Sequence, residues 1–251
     1  LYYLMLKIFV SIFGDSIPVY KLFSILPLIL CFILSGTQIR KYWGEQTSVL
    51  FIFFLNAIPS LLEYVIQIRM YSWALLWVTW AAVSAYGVYK ERGFYNQLQL
   101  VIATLLACYT HNYAMISCVM IYGILAVFLL KKPKQWLISG GVVAICYIPW
   151  LVILYRQTTN RIGNYWIDPV TGKDVIGYLG FLFDSDIPYS AWMIGIICIM
   201  AIVQCVKSIR EKKESGAVGV CMLGIPVLTA LLGIIVSIAV TPFFIARYLI
   251  P

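Results

Sequence analysis

Long apolar runs separated by short polar breaks dominate the chain. A membrane-spanning helix needs about 20 mainly apolar residues. Eight runs approach that length: residues 20–39, 48–66, 72–89, 95–110, 113–130, 136–155, 188–206 and 217–240. The runs are continuous and do not alternate, which favours helices over the strands of a barrel. The pattern predicts an all-α polytopic membrane protein with about eight transmembrane helices.

Two further segments complete the predicted architecture. Residues 1–13 are apolar but too short to span a membrane, so we expect a helix that lies in the external interface. Residues 157–187 form the longest polar and aromatic break, and we expect an external loop that folds over a site. The chain starts at Leu1 and stops at Pro251, shortly after a new polar opening. We therefore expect one transmembrane domain, residues 1–251, truncated at both ends.

Composition narrows the class of protein. Hydrophobic residues make up 63% of the chain and charged residues 11%, against roughly 45–50% and 25% in a soluble domain. The net charge of +8 is scattered in small groups between the apolar runs. Topology signals are distributed in this way, and the pattern argues against nucleic-acid binding. An integral membrane protein is expected.

The basic residues predict an orientation. Eleven of the 18 Lys and Arg residues lie in alternate breaks, which should be cytoplasmic because loops on that side are enriched in positive charge. The other breaks hold the remaining seven cations and six of the ten acids. These external breaks also contain most of the side chains that could bind a substrate.

Arg69 is the most informative of those side chains. It stands between the apolar residues 49–66 and 73–89, so it should lie at a membrane surface. A guanidinium there needs water or an anionic partner, and its planar fork can hold two phosphate oxygens. Arg69 is therefore a candidate ligand of a lipid-linked phosphate, with an interfacial anchor as the alternative.

Four other residues, in the external breaks or near the external end of a run, are candidates. His111, the only histidine, could donate to phosphate or sugar, relay a proton, or cap a helix end. Arg247 precedes a new apolar run, where anchoring and phosphate contact are both open. Lys7 could bind phosphate or simply extend towards the headgroups. Glu63 could pair with Arg69 or help to bind an acceptor.

The 157–187 segment adds aromatic and acidic candidates. Tyr165 and Trp166 could stack on a sugar or an isoprenoid, or belong to an interfacial aromatic belt. Asp184 and Asp186 could bind a divalent cation, or be solvated surface acids. A zinc site is not expected from a single histidine without paired ligands.

Five short motifs occur in an order that resembles a known family. They are Leu1-Tyr2-Tyr3-Leu4 followed by Lys7, Phe13-Gly14 and Lys21-Leu22, then Gln67-Ile68-Arg69-Met70-Tyr71-Ser72, Tyr109-Thr110-His111-Asn112-Tyr113, Tyr165-Trp166-Ile167 and Arg247-Tyr248-Leu249. Together they resemble integral-membrane glycosyltransferases of the C superfamily, the group related to protein O-mannosyltransferases and lipid A aminoarabinose transferases. Gln67 departs from the carboxylate usual at its position. The loop that carries the family's catalytic Asp would lie upstream of Leu1.

The resemblance implies transfer of a sugar from a polyprenyl-phosphate donor to an acceptor glycan, lipid or protein, at the extracytoplasmic face of a bacterial plasma membrane. A carboxylate base would remove the acceptor proton, and fixed cations would stabilise the departing phosphate. A single displacement inverts the anomeric centre. Substrate would be bound by Arg69, Tyr71, His111, Lys7, Glu63, Trp166 and Arg247.

No catalytic residue is assigned within the chain, and the fragment alone is expected to be inactive. The alternative from another class is a transporter or flippase of lipid-linked sugars, which predicts broken helices at mid-membrane depth and an internal repeat. A polymerase or ligase of surface polysaccharide would differ chiefly in its acceptor. Apart from the sugar donor, the expected partners are membrane lipids.

Overall fold

The computed structural model describes residues 1–131, 133–159, 170–172, 181, 188–211, 214–239 and 245–250. Within these ranges the regular structure is entirely helical, without a strand, which confirms the all-α class. The α-helices are α1 Tyr2–Phe13, α2 Ile17–Leu34, α3 Arg40–Ala57, α4 Pro59–Ile66, α5 Tyr71–Glu91, α6 Phe94–Thr110, α7 Asn112–Phe128, α8 Lys134–Thr159, α9 Pro188–Arg210 and α10 Glu214–Ala239. A 3₁₀ turn, Ala246–Leu249, follows.

Local sequence explains several helix ends. Gly14 has a φ of 95°, which glycine adopts readily, and it ends α1. Arg92 has a φ of 51° and closes α5 in the left-handed conformation common at helix ends. Gly93 then leads directly into α6. The two helices are consequently antiparallel neighbours.

The second predicted run, 48–66, is not one helix. Ile58 is extended, and Pro59 begins the separate helix α4, because proline has no N–H to donate and is tolerated in the first helical turn. The polar residues before this run do not form a loop either. A π-helical segment, Ser35–Ile39, joins α2 to α3, and Gly44, with a φ of 86°, provides the kink.

Among the described residues, three segments are long and apolar enough to cross a membrane: Ile17–Ala57, Lys134–Gln157 and Gly216–Ala239. The larger number of about eight spans stays a prediction. Large apolar side chains face outward on them, as with Ile145 and Ile235, which are 67% and 60% exposed. Such surfaces fit an integral membrane protein, whose outer side chains contact lipid tails. Helix α1 is confirmed as a short apolar helix, and its place in the interface stays a prediction.

Helix α5 forms the centre of the bundle and packs against α2, α6 and α7. Ala74 and Ala81 are fully buried, and their small side chains allow neighbouring helices to approach closely. Trp73 contacts Phe23 and Trp77, with ring centroids 4.9 and 5.3 Å apart. This aromatic packing fixes α5 against α2.

The bundle has two ends that matter for function. Tyr71 and His111 are in ring contact at one of them, with centroids 5.7 Å apart, and we call it the Tyr71 end. Helix α5 runs from there to Glu91, which is bonded to Lys41 and Asn96. We call this the Glu91 end.

Candidate functional site

Four aromatic side chains from separate parts of the chain form a cluster at the Tyr71 end. Tyr71 opens α5, His111 joins α6 to α7, Tyr113 lies in α7, and Tyr248 lies in the 3₁₀ turn. The ring of Tyr248 lies 6.3 Å from Tyr71, 5.4 Å from His111 and 5.9 Å from Tyr113 between centroids. We name these four residues the aromatic cluster. Tyr64 of α4 extends it, 5.4 Å from Tyr71.

Arg247 brings a positive charge to this cluster. Its guanidinium carbon lies 5.8 Å from the ring centroid of Tyr248. The Nε atom is buried and has no hydrogen-bond partner in the described part of the chain. Arg247 as a whole is half-buried, but a buried donor is normally satisfied. An anionic group bound here would accept a hydrogen bond from this Nε–H.

Arg69 provides a second positive charge that acts on Tyr71. It lies in the exposed connection between α4 and α5, where its N–H donates to the carbonyl of Gln67 at 2.8 Å. Burial raises the pKa of Tyr71, and the charges of Arg247 and Arg69 oppose that rise. Burial also raises the pKa of Tyr2, again opposed by Arg69. Arg69 is therefore close enough to act on both phenols.

His111 is buried and neutral. Its Nδ1 accepts a hydrogen bond from the N–H of Tyr113 at 3.2 Å, which caps α7. Burial lowers the pKa of His111 from 6.5 to about 4. At neutral pH the ring therefore offers one N–H, at Nε2, as a donor and carries no charge. Of the roles considered from sequence, helix capping is the one that the structure forms.

Glu63 and Lys7 are two predicted site residues that are exposed and do not belong to the aromatic cluster. Glu63 is exposed on α4, and its Oε1 accepts a long hydrogen bond, 3.4 Å, from Nε2 of Gln67. Its expected pairing with Arg69 is absent among the ion pairs of the described residues. Lys7 is exposed on α1.

The 157–187 segment reaches the same end of the bundle at two described points. Val170 packs against the apolar group of Tyr113, Ile116 and Leu249. The ring of Phe181 lies 5.6 Å from that of Tyr64 between centroids. Trp166 lies outside the described residues, as do Tyr165 and the two acids considered for a cation, Asp184 and Asp186. Within the described ranges, no three His, Cys, Asp or Glu side chains come together as metal ligands.

Sequence reasoning missed part of the cluster. Tyr113 and Tyr248 stand inside the quoted motifs, next to chosen residues, but neither was selected as a site residue. Tyr64 lies one helical turn before Gln67 and had no motif to mark it. The available signal was the high local density of tyrosines near the external helix ends.

The site combines two guanidinium groups, phenolic hydroxyls and a neutral imidazole donor. Such a set favours a phosphate or another anion bound beside an apolar aromatic wall. No family model, curated protein or solved structure matches the chain. The functional argument therefore depends on these residues and their geometry.

Proposed function

We propose that the protein is an integral-membrane glycosyltransferase of the C superfamily. It transfers a sugar from a polyprenyl-phosphate donor to an acceptor, with inversion, at the extracytoplasmic face. In this proposal all eight apolar runs cross the membrane and the Tyr71 end faces outward. The donor phosphate binds between Arg69 and Arg247.

The convergence of Arg69, Tyr71, His111 and Arg247 carries the proposal. Arg69 and Arg247 are far apart in the chain, yet both charges act on Tyr71. The buried Nε of Arg247, without a partner in the described residues, is a donor that a phosphate oxygen would satisfy. An arginine that only anchored the protein at the membrane surface would be solvated and would not need a buried donor.

Each residue type suits one part of the reaction. The bond between the anomeric carbon and the phosphate oxygen breaks while the acceptor oxygen attacks from the opposite face. Negative charge grows on the departing phosphate, and fixed guanidinium groups stabilise it. The hydroxyl of Tyr71 and Nε2–H of His111 are neutral donors for the same phosphate or the sugar. We assign the base that accepts the acceptor proton to no residue of this chain.

Replacement of each arginine in the full-length protein tests this assignment. Arg69→Ala and Arg247→Ala should each lower turnover of polyprenyl-phosphate sugars by about 100-fold or more, the usual cost of one charge-stabilising contact. Lysine at either position keeps the charge but loses the fork and should recover only part of the rate. The measurement is sugar transfer with purified protein in lipid nanodiscs.

A matched control is Arg210→Ala, which removes an exposed arginine at the end of α9. Its turnover should equal that of the unchanged protein. If the alanine and lysine variants at Arg69 and Arg247 all keep full turnover, the phosphate site is elsewhere and the proposal fails.

A transporter or flippase of lipid-linked sugars is the second candidate, and one observation favours it. The segment Ile17–Ala57 is interrupted by the π-helical turn Ser35–Ile39 and by the kink at Gly44, and broken helices are common in transporters. These irregularities adjoin Lys41, which is bonded to Glu91 at one end of the bundle. That place differs from the midplane site of transporters, so the enzyme is preferred. Lipid-linked sugar crossing proteoliposomes without transfer would reverse the preference.

A further inference from the structure

A polar pocket opens at the Glu91 end, away from the aromatic cluster. It lies where the π-helical segment, the start of α3, the end of α5 and the start of α6 meet. Its volume is about 460 Å³, within the roughly 300–1,000 Å³ of small-molecule sites. It is lined by Thr37, Gln38, Lys41, Tyr42, Glu91, Gly93, Tyr95, Asn96 and Gln99.

Close packing fixes the wall of this pocket. Gly87 of α5 leaves room for two pocket side chains, since a Cβ there would lie 2.6 Å from the hydroxyl of Tyr42 and 3.1 Å from Asn96. Asn96 is buried, and its Nδ2 donates to the carbonyl of Gly87 at 3.2 Å and to Oε2 of Glu91 at 3.0 Å. The carboxylate is thereby held in one orientation.

The charges in the pocket cancel. Nζ of Lys41 lies 2.6 Å from Oε1 of Glu91, and hydrogen bonds from Lys41 and Asn96 lower the pKa of Glu91, so the carboxylate stays ionised and neutralises the amine. The other lining groups are uncharged amides and hydroxyls. Nε2 of Gln38 donates to Oε1 of Gln99 over a long 3.4 Å, which leaves amide groups of both side chains for a ligand. A neutral ligand rich in hydroxyl groups fits this set better than an anion.

We propose that this pocket binds a neutral sugar. Each sugar hydroxyl both donates and accepts a hydrogen bond, and the primary amides and the fixed carboxylate of Glu91 provide both functions side by side. Tyr95, 69% exposed at the rim, offers a ring face for the apolar side of a pyranose. The sugar is either free or the headgroup of a glycolipid. The site is at the opposite end from the proposed transfer site and does not depend on it.

Substitution of one pocket amide, with a matched control on the same helix, tests the proposal. Gln99→Leu removes a lining amide, whereas Gln97→Leu makes the same change two residues earlier, outside the pocket lining. Both variants go into nanodiscs with sugar-free lipids, because alkyl-glycoside detergents would compete. Titration with methyl glycosides of glucose, galactose and mannose, followed by ligand-observed NMR, gives Kd. In a parallel series the nanodiscs contain monoglucosyl diacylglycerol, or diacylglycerol as the control. The thermal stability of each protein variant in them is then measured.

We expect at least one methyl glycoside to bind, about fivefold more weakly to Gln99→Leu, since one neutral hydrogen bond is lost. The Gln97→Leu variant should bind as the unchanged protein does. If the glucolipid stabilises the protein while no methyl glycoside binds, and Gln99→Leu loses this stabilisation but Gln97→Leu keeps it, the ligand is a glycolipid headgroup. Absence of binding in both series, or equal loss in both variants, overturns the proposal. Neither result bears on turnover at the Tyr71 end, so the two proposals fail separately.

Discussion

The individual residue with the most defined chemistry is His111. Sequence alone left its role open between donor, proton relay and helix cap. In the structure it is buried, and its Nδ1 accepts from the N–H of Tyr113, so the ring must be neutral. Protonation would put a charge in a low-dielectric site and remove the capping acceptor. Stability, and with it the geometry of the aromatic cluster, should therefore depend on pH.

We expect the free energy of unfolding to fall as the pH drops from about 6.5 towards 4. The unfolded chain binds a proton at His111 near pH 6.5, whereas the folded chain binds it only near pH 4, so acid favours the unfolded state. The free energy of unfolding should fall by an amount on the order of 3 kcal/mol.

His111→Asn keeps a capping acceptor but cannot titrate, and it should flatten this pH dependence. His111→Ala should cost about 1 kcal/mol at pH 7 through loss of the cap. Unfolding in detergent at several pH values measures both effects, and equal pH slopes for the unchanged protein and His111→Asn would contradict the assignment.

At the scale of elements, close contacts between helices position the cluster. Tyr113 of α7 is 1% exposed, and α10 approaches it at Gly233, where a Cβ would lie 2.6 Å from the Tyr113 ring. Only glycine leaves room for the tyrosine at this crossing. The packing of α10 against α7 therefore sets where the Tyr113 ring meets Tyr248 and His111.

Gly233→Ala should destabilise the protein. The added methyl group must displace the Tyr113 ring, and overpacking typically costs about 1–3 kcal/mol, more than the gain of up to about 1 kcal/mol from helix propensity. Gly224→Ala on the same helix is the matched control, because its Cβ would meet only Leu228 at 4.0 Å. That variant should be as stable as the unchanged protein or slightly more stable. Midpoints of thermal unfolding compare the two, and a stabilised Gly233→Ala would show that the crossing is looser than described.

Helix positions were readable from sequence to different degrees. Continuous apolar runs correctly indicated α5 to α8, because hydrophobic length is a local property. Pro59 is a local sign of the division of run 48–66, since proline favours the first turn of a new helix. The π-helical turn Ser35–Ile39 had none, since Ser, Gly, Thr and Gln in that order do not specify a wider helical turn over a loop. In the folded chain Ser35 and Ser48 each donate a hydroxyl hydrogen bond to the other's backbone carbonyl, at 2.9 Å, and this contact is not visible in the local sequence pattern.

At the scale of the whole molecule, the two ends of the bundle differ in chemistry. The Tyr71 end gathers Arg69, Arg247 and the aromatic cluster, whereas Lys41 and Glu91 line a neutral polar pocket at the other. Sequence identified Arg69, Tyr71, His111 and Arg247 as candidates. It could not show that they meet, because their proximity depends on the packing of α5, α7 and α10. The charge pattern, in contrast, predicts orientation without any packing information.

That orientation can be tested directly by labelling single introduced thiols. Ile68, 40% exposed, lies beside Arg69, and Phe94, 78% exposed, starts α6 at the Glu91 end. If positive charge sets the topology, a membrane-impermeant maleimide should label Ile68→Cys in intact expressing cells and Phe94→Cys only after permeabilisation. The unchanged protein is the control for its own thiols, among which Cys31, Cys108 and Cys118 are buried. The reverse labelling pattern would place Arg69 and Arg247 on the cytoplasmic side, where an extracytoplasmic transfer reaction could not use them. Labelling of both positions in intact cells would show that the two ends of the bundle do not lie on opposite faces of the membrane.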